Sequence, residues 1–566
     1  MEVPFSQTTR TTALAAMSTE PVDLLVLGGG ITGAGIARDA ALRGIRTALV
    51  DKGDFGGETS SHSSRLIHGG LRYLEQGDLG LIFEATHERR ILLRIAPHLV
   101  RPLPFLFPVY RGARVPAWKL EAGMWLYDTL AAFRNVHMHR WLGRKRVARL
   151  EPRLRTKGLQ GAALYYDAQV DDVRLVLATM RSAAQAGALV ANYAEATSLL
   201  KSDGRVRGAV VRDLLSGRTY TIRALVVVNA TGPWVDSMRR RDDPNARPLL
   251  RLTKGAHVAV LRARLGNNYA VTLTSPIDGR VMFVVPWGDL SYIGTTDTDE
   301  AVLPEEIRAS GSDVVYLLRS ANALFPDARL GPHDVISTWA GLRALIAPTR
   351  AQSASEVSRE HLVVEESSGL ITIAGGKLTT YRRMARGIVD RVAKRLSQLD
   401  GRPVRPRART DRQALPGGES ADLEVLVDSL RAREVPDARA RRLVGLYGSE
   451  AAAVVNLMDR DRSLSEPLIA GRPEVWAEVV HAVEREMAGR LTDVLIRRLH
   501  VFYEDPAHGN TVSTAVAGRL AKLLDWDKER REEEVANYTA EVKRARVFLR
   551  EVPRLSKEVG QKGAGQ

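Results

Sequence analysis

Residues 23–51 constrain this chain more than any other stretch. Asp23-Leu-Leu-Val-Leu-Gly28-Gly-Gly30-Ile-Thr32-Gly33 runs from an apolar strand into G-x-G-x-x-G. A small-residue helix follows, and a second apolar run, Thr47-Ala-Leu-Val, ends in Asp51. Each part has a physical role in holding a dinucleotide. Gly28 permits the tight turn, Gly30 lets the backbone approach a diphosphate, and Gly33 lets helix and strand pack closely. The helix start offers unpaired N–H groups to an anion, and an acid about twenty residues on binds a ribose hydroxyl. Strand, helix, strand and acid in this order predict a βαβ unit. The motif leaves open which dinucleotide is bound and what is done with it.

The absence of cysteine excludes disulfides, thiolate-ligated metal and cysteine-held iron–sulfur clusters, and no metal site is expected. Redox chemistry in such a chain falls to an organic cofactor. The formal net charge of +16 reads as attraction to something anionic: acidic lipid, a phosphorylated substrate or nucleic acid. It reads equally as a general arginine bias. A nucleic-acid-binding protein would carry a recognition motif or an aromatic-rich basic patch, and neither is found, so nucleic acid is not an expected partner. No apolar run reaches the roughly eighteen residues of a spanning helix, and the Thr- and Ala-rich start is a poor signal peptide. A cytoplasmic location follows as the expectation, with residues 1–20 as a disordered extension and Met17 as a second candidate start.

A chain of 566 residues exceeds one hydrophobic core. Helical spacing is expected over 83–97 and 173–186, and a hairpin around Ser216-Gly217. Residues 225–232 read as a buried strand ending in a glycine turn. Alternating strand signals over 250–300 predict an antiparallel sheet, a platform for a cofactor or substrate. A Pro/Arg/Gly-rich break at 398–418 reads as a linker. Beyond it, 419–552 reads as helical, with segments at 474–487, 492–502 and 538–552, and 553–566 as a flexible tail.

Further motifs converge on one family: Thr59-Ser60-Ser61, Ser64-Arg-Leu-Ile-His68-Gly69-Gly-Leu-Arg72-Tyr73, Ala96-Pro-His98 and Asp171-Asp172-x-Arg174. Asn229-Ala230-Thr231-Gly232-Pro-Trp234, Lys254-Gly-x-His257, Ile293-Gly-Thr-Thr-Asp297 and Gly375-Gly376-Lys377-Leu378-Thr379-Thr-Tyr381 continue the series. In this order the chain resembles the FAD-dependent glycerol-3-phosphate dehydrogenases of aerobic glycerol use, from about residue 21 to 550. The resemblance implies an α/β fold: a Rossmann-like FAD-binding domain of the glutathione-reductase/D-amino-acid-oxidase type, an antiparallel-sheet substrate domain and an all-helical C-terminal domain. The FAD-binding part would comprise about 21–80, 165–250 and 340–397, interleaved with substrate or cap segments at about 81–164 and 251–339.

The resemblance also implies where FAD lies. Gly28, Gly30, Thr32, Gly33 and Asp51 would take its ADP half, Thr59, Ser60 and Ser61 would reach the flavin or the diphosphate, and Ala230, Thr231 and Gly232 would border the cofactor at a strand's carboxyl end. His68, Gly69, Gly376, Lys377, Leu378 and Thr379 would lie at the flavin ring, where a helix start stabilises the anionic reduced form. Arg72, Arg343 and Arg359, with Tyr73 and Lys377, are the implied clamp for a phosphate monoester, since forked permanent cations suit that dianion. Oxidising the alcohol requires a base. His68 is the first candidate and His257 the second, with Arg343 also steadying a developing alkoxide. Arg343 is expected in a loop, with Ala344 where the family usually has proline. The implied reaction converts sn-glycerol 3-phosphate to dihydroxyacetone phosphate, with a membrane quinone as acceptor. An oxygen-using glycerophosphate oxidase and an amino-acid oxidase of the same flavin fold remain open. Residues 118–133, bordered by Arg111, Arg114, Lys119 and Arg134, form a candidate interfacial helix for an anionic membrane on the inner face of the cell membrane. Oligomeric state stays open, a homodimer included, and the C-terminal helices are assigned no chemistry.

Overall fold

The computed structural model describes residues 4–70, 78–130, 136–299, 304–347, 361–401 and 403–552. The βαβ unit forms as expected. Strand Val22–Leu27 enters helix Ile31–Leu42, and strand Thr47–Val50 returns parallel beside the first. All four residues of that returning strand are buried, as a parallel strand covered on both faces requires. Strand Thr219–Asn229 lies parallel on the other side of Val22–Leu27, and Leu189–Ala191 extends the sheet past Thr47–Val50. Ile371–Gly375 and His361–Glu365 complete its far edge. The expected hairpin is present, with Arg205–Asp213 antiparallel to Thr219–Asn229.

A second sheet, mostly antiparallel, carries Leu250–Leu261 at its centre, flanked by Leu290–Gly294 and Val335–Ile346. Two differences from expectation follow. Residues 340–346 belong to this sheet and not to the cofactor layer, because they pair in register with 250–256. Arg343 therefore sits on a strand, opposite Thr253, and not in a loop. Ala344 is consistent with that, since proline would remove a ladder N–H. Leu66–Ile67 also joins this sheet, against Leu159–Val170.

The expected linker is docked. Helix Tyr381–Asp400 runs through its first residues, and Leu415 is buried, its N–H on the Ile95 carbonyl. The C-terminal region is helical, as expected, but 492–502 is broken. A wide π-type turn over Asp493–Arg498 ends at His500, whose φ of 59° starts the separate short helix Val501–Glu504.

The expected disorder at 1–20 is corrected. Gln7–Thr19 is a helix, capped by Ser6 through a reciprocal bond pair with Thr9. Its sequence has little amphipathic signal, so propensity alone does not reveal it. Tertiary contacts hold it: Leu14 and Met17 are fully buried, and Arg10 pairs with buried Asp213 while donating to the Asn192 carbonyl. Arg10→Ala removes the cation from the Asp213 carboxylate, which keeps the Leu215 N–H and the Ser216 hydroxyl. Urea unfolding should show a loss of roughly 2 kcal/mol, in line with a hydrogen bond to a charged group.

Candidate active site and cofactor cleft

A cleft of about 630 Å³ opens at the carboxyl ends of the parallel strands, where dinucleotide sites form. Gly28, Gly30, Asp51, Thr59, Ser60, Ala230, Thr231 and Gly232 line it, so eight of the cofactor-binding residues expected from sequence meet there. Two glycines are required by space. A Cβ on Gly28 would stand 2.5 Å from the Ala230 carbonyl oxygen, and Gly28 adopts a φ of 107°. A Cβ on Gly33 would fall 1.9 Å from the Gly28 carbonyl oxygen. Helix Ile31–Leu42 begins at Gly30 with no side-chain cap on that residue, and Ile31 N–H donates to Ser60 Oγ. Asp51 accepts from Gly29 N–H (2.5 Å) and Gly53 N–H (2.7 Å), and burial raises its pKa. Thr32 lies in the first helical turn. These residues fit a dinucleotide.

Ser61 departs from expectation. Its hydroxyl donates to the Glu58 carbonyl, and it lines a neighbouring cavity of about 230 Å³ instead. Gly69 N–H donates to Asp167, and a Cβ there would collide with the Tyr127 hydroxyl at 2.0 Å. The remote ring-site motifs do meet: Thr379 Oγ1 lies 3.5 Å from the His68 carbonyl oxygen. Gly376, with a φ of 101°, precedes Lys377 and the short turn Leu378–Thr380. Arg72, Tyr73 and Arg359 lie outside the described residues.

The second sheet presents the other candidates on one face. His257 is buried, stacked on Trp339 at 5.1 Å, with Nε2 2.9 Å from Ser64 Oγ. Its Nδ1 has no hydrogen-bond partner among the described residues. Burial, then the charges of Arg343 and Arg65, hold its pKa well below the usual histidine range. Arg343 donates to Asp297 (3.1 Å) and Thr295 Oγ1 (2.8 Å). Three strand glycines make this face. A Cβ on Gly294 would lie 2.0 Å from the His257 ring, one on Gly255 2.2 Å from the Arg343 guanidinium, and one on Gly341 2.7 Å from His62 Cβ. Gly255 and Gly294 fall within the quoted motifs, but their role is not legible there. The available signal was glycine inside a strand pattern, which marks close approach.

The 58–69 segment ties the two layers together. Thr59 Oγ1 donates to the Leu342 carbonyl, Trp339 Nε1 to that of Ser63, and the Tyr292 hydroxyl to that of Ser64. Arg65 is buried against the rings of Trp287, Trp339 and Tyr503.

Sequence reasoning foresaw the C-terminal helices but not their place against the cleft. Asp54, three residues past Asp51, is fully buried and takes Arg497 Nε (2.6 Å) and Arg498 Nη1 (2.5 Å). Asn192 Nδ2 donates to it as well, at 3.0 Å. The two guanidinium groups hold its carboxyl far below the usual range despite burial. Arg490, Thr492 and Arg497 then form part of the cleft wall.

Residues 23–382 match the family described as FAD dependent oxidoreductase, and 408–531 match the C-terminal domain of alpha-glycerophosphate oxidase. The fold and cleft thus define an FAD-dependent oxidoreductase. An aerobic glycerol-3-phosphate dehydrogenase from Staphylococcus haemolyticus is 37% identical over 531 residues, covering 91% of this chain and 93% of that protein. One from Staphylococcus aureus strain USA300 is 36% identical, covering 92% and 94%. The solved glycerol-3-phosphate dehydrogenase from Bacillus halodurans, complexed with FAD, superposes with a TM-score of 0.80 at 32% identity, covering 96% of this chain and 98% of that one. The chain belongs to the FAD-dependent glycerol-3-phosphate dehydrogenase family, and its cofactor is FAD.

Asp54→Ala leaves two buried guanidinium groups without their carboxylate, at a cost of about 3–5 kcal/mol in denaturant unfolding at neutral pH. The Asp54 pKa is depressed in the folded state, so its contribution is complete above the unfolded value of about 3.9 and declines as pH falls below it. The gap between parent and variant should therefore narrow on acidification.

Proposed function

We propose that this protein oxidises sn-glycerol 3-phosphate to dihydroxyacetone phosphate and passes the electrons to a membrane quinone. The observation that carries the substrate reading is the pairing of His257 and Arg343 on one glycine-cleared sheet face beside the 58–69 segment. FAD supplies the acceptor for the hydride leaving C2. Arg343, its guanidinium oriented by Asp297 and Thr295, presents a fixed cation to an anionic oxygen of the substrate. His257 is held neutral by burial and by its cationic neighbours. An arriving dianion offsets those cations and raises its basicity, so it can take the hydroxyl proton. We take His257 before His68 as the base because its neutral ring shares one sheet face with Arg343. Arg72, Arg359, Tyr73 and Lys377 remain the proposed partners of the phosphate.

Electron delivery to quinone is supported by the surface around helix Ala117–Leu130. That helix buries Leu120, Met124 and Tyr127 but exposes Trp118 (72%) and Trp125 (52%), with Leu126 beside them. Phe83, on the adjoining helix Leu79–Ile95, is 53% exposed. Arg111, Arg114, Lys119, Arg144 and Lys145 are exposed around it. Tryptophans flanked by lysine and arginine suit the headgroup boundary. Among the described residues no helix is long and apolar enough to cross a membrane, so the proposed contact is peripheral, on the inner face.

Anaerobic addition of glycerol 3-phosphate should bleach the flavin absorbance, and a soluble quinone should restore it. Stoichiometric hydrogen peroxide under air would favour the oxidase reading instead. In the same experiment His257→Ala should slow bleaching by about a hundredfold or more, and His68→Ala less; the reverse order would return the role to His68. Separately, Trp118→Ser with Trp125→Ser should abolish co-sedimentation with anionic vesicles while leaving bleaching intact. Unchanged sedimentation would place the membrane contact elsewhere.

A further inference from the structure

The sequence assigns the C-terminal helices no chemistry, and in the structure they form one side of the cleft. We propose that Arg490 of this helical domain is a cofactor-binding residue that holds the adenosine end of FAD. The inference rests on the placement of the ADP half at Gly28–Gly33 and Asp51.

The direction of the dinucleotide follows from the sheet. With the diphosphate at the start of helix Ile31–Leu42 and a ribose at Asp51, the purine must extend over the carboxyl ends of Thr47–Val50 and its neighbour Leu189–Ala191. Tyr193, Ala194, Glu195 and Ala196 line the cleft at that end. Arg490 reaches the same place from the other domain, its guanidinium 4.7 Å from the centre of the Tyr193 ring. That ring is itself pinned, because the Tyr193 hydroxyl donates to Asp493.

Arg490 differs from other buried arginines of the chain. Arg10, Arg174, Arg181, Arg497 and Arg498 each hold a carboxylate. The charge of Arg490 acts on Glu534, which lines the same cleft, but its buried Nε has no hydrogen-bond partner among the described residues. Its backbone, by contrast, is anchored, with the N–H on Asp493 at 2.9 Å. An anchored arginine with an unpartnered buried N–H, its planar cation laid along an aromatic ring at the edge of a nucleotide-sized cleft, suits a purine. The guanidinium can stack on the base and donate to its ring nitrogens.

The test uses the holoenzyme and follows FAD release by recovery of flavin fluorescence, with excess ADP present to block rebinding. Arg490→Ala should release FAD about tenfold faster, the loss of one stacking contact. Arg490→Lys, which keeps the charge but not the planar fork, should fall between it and the parent. Release within twofold of the parent for both variants would overturn the proposal. Arg490→Lys also covers the case in which the alanine variant fails to fold. Asp51→Ala separates the two layers of the argument. If it accelerates release and Arg490→Ala does not, the placement of the ADP half stands and Arg490 has no part in it. If neither changes release, the placement of the ADP half fails as well.

Discussion

The buried Asp54 carboxylate and its two arginines are the contact on which the arrangement of this molecule depends. Asp54 follows Asp51 by three residues, and its partners Arg497 and Arg498 belong to the C-terminal helices. Removing three charged groups from water is costly, and good geometry is what recovers the loss. Here the geometry is closed. Asn192 fills a further acceptor position on Asp54, Arg497 also holds Asp493, and Asp493 receives the Tyr193 hydroxyl. The cofactor loop, the strand end at 192–193 and the helical domain thus form one hydrogen-bonded unit. Similar ties recur along the boundary: Arg174 on Glu486, Arg181 on Glu450 and His500 on Asp171. Much of the arginine content of the chain is therefore structural, which tempers any reading of net charge as a signal for partners.

The sheet face that carries His257 and Arg343 is built by omission. Strands ordinarily fill both faces with side chains, but Gly255, Gly294 and Gly341 leave space on one of them. Into that space fit a histidine ring, a guanidinium and the chain at His62. Trp339 then supports His257 from one side, and its own ring faces the Arg65 guanidinium at 4.9 Å. The protonation of His257 is thus governed by groups on two segments besides its own strand, 58–69 and 335–346.

What could be read from sequence divides by range. The cofactor βαβ unit was legible because its constraints are local: a turn, a helix start and an acid within one unit of chain. The two-sheet architecture and the helical C-terminal region followed from periodicity and from the family resemblance. The N-terminal helix was missed because its stability comes from Asp213 and the Asn192 carbonyl, far away in sequence. Arg343 was read in a loop because a strand's identity lies in its partner, here Thr253. The role of the helical domain was invisible for the same reason. Nothing about Arg490, Arg497 or Arg498 distinguishes them in an arginine-rich sequence until Asp54 and Tyr193 are placed beside them.

The span of the Asp54 contact has a consequence for how the protein is made. Its two sides are separated by 443 and 444 residues. Domains on a ribosome fold as they emerge, N-terminal parts first. The βαβ unit is synthesised early, but the cleft beside it keeps an open side until the last helices have been synthesised and have docked. Closure of the cleft is accordingly a late event in synthesis, and a chain that stops short of residue 497 carries the glycine-rich motif beside an incomplete wall.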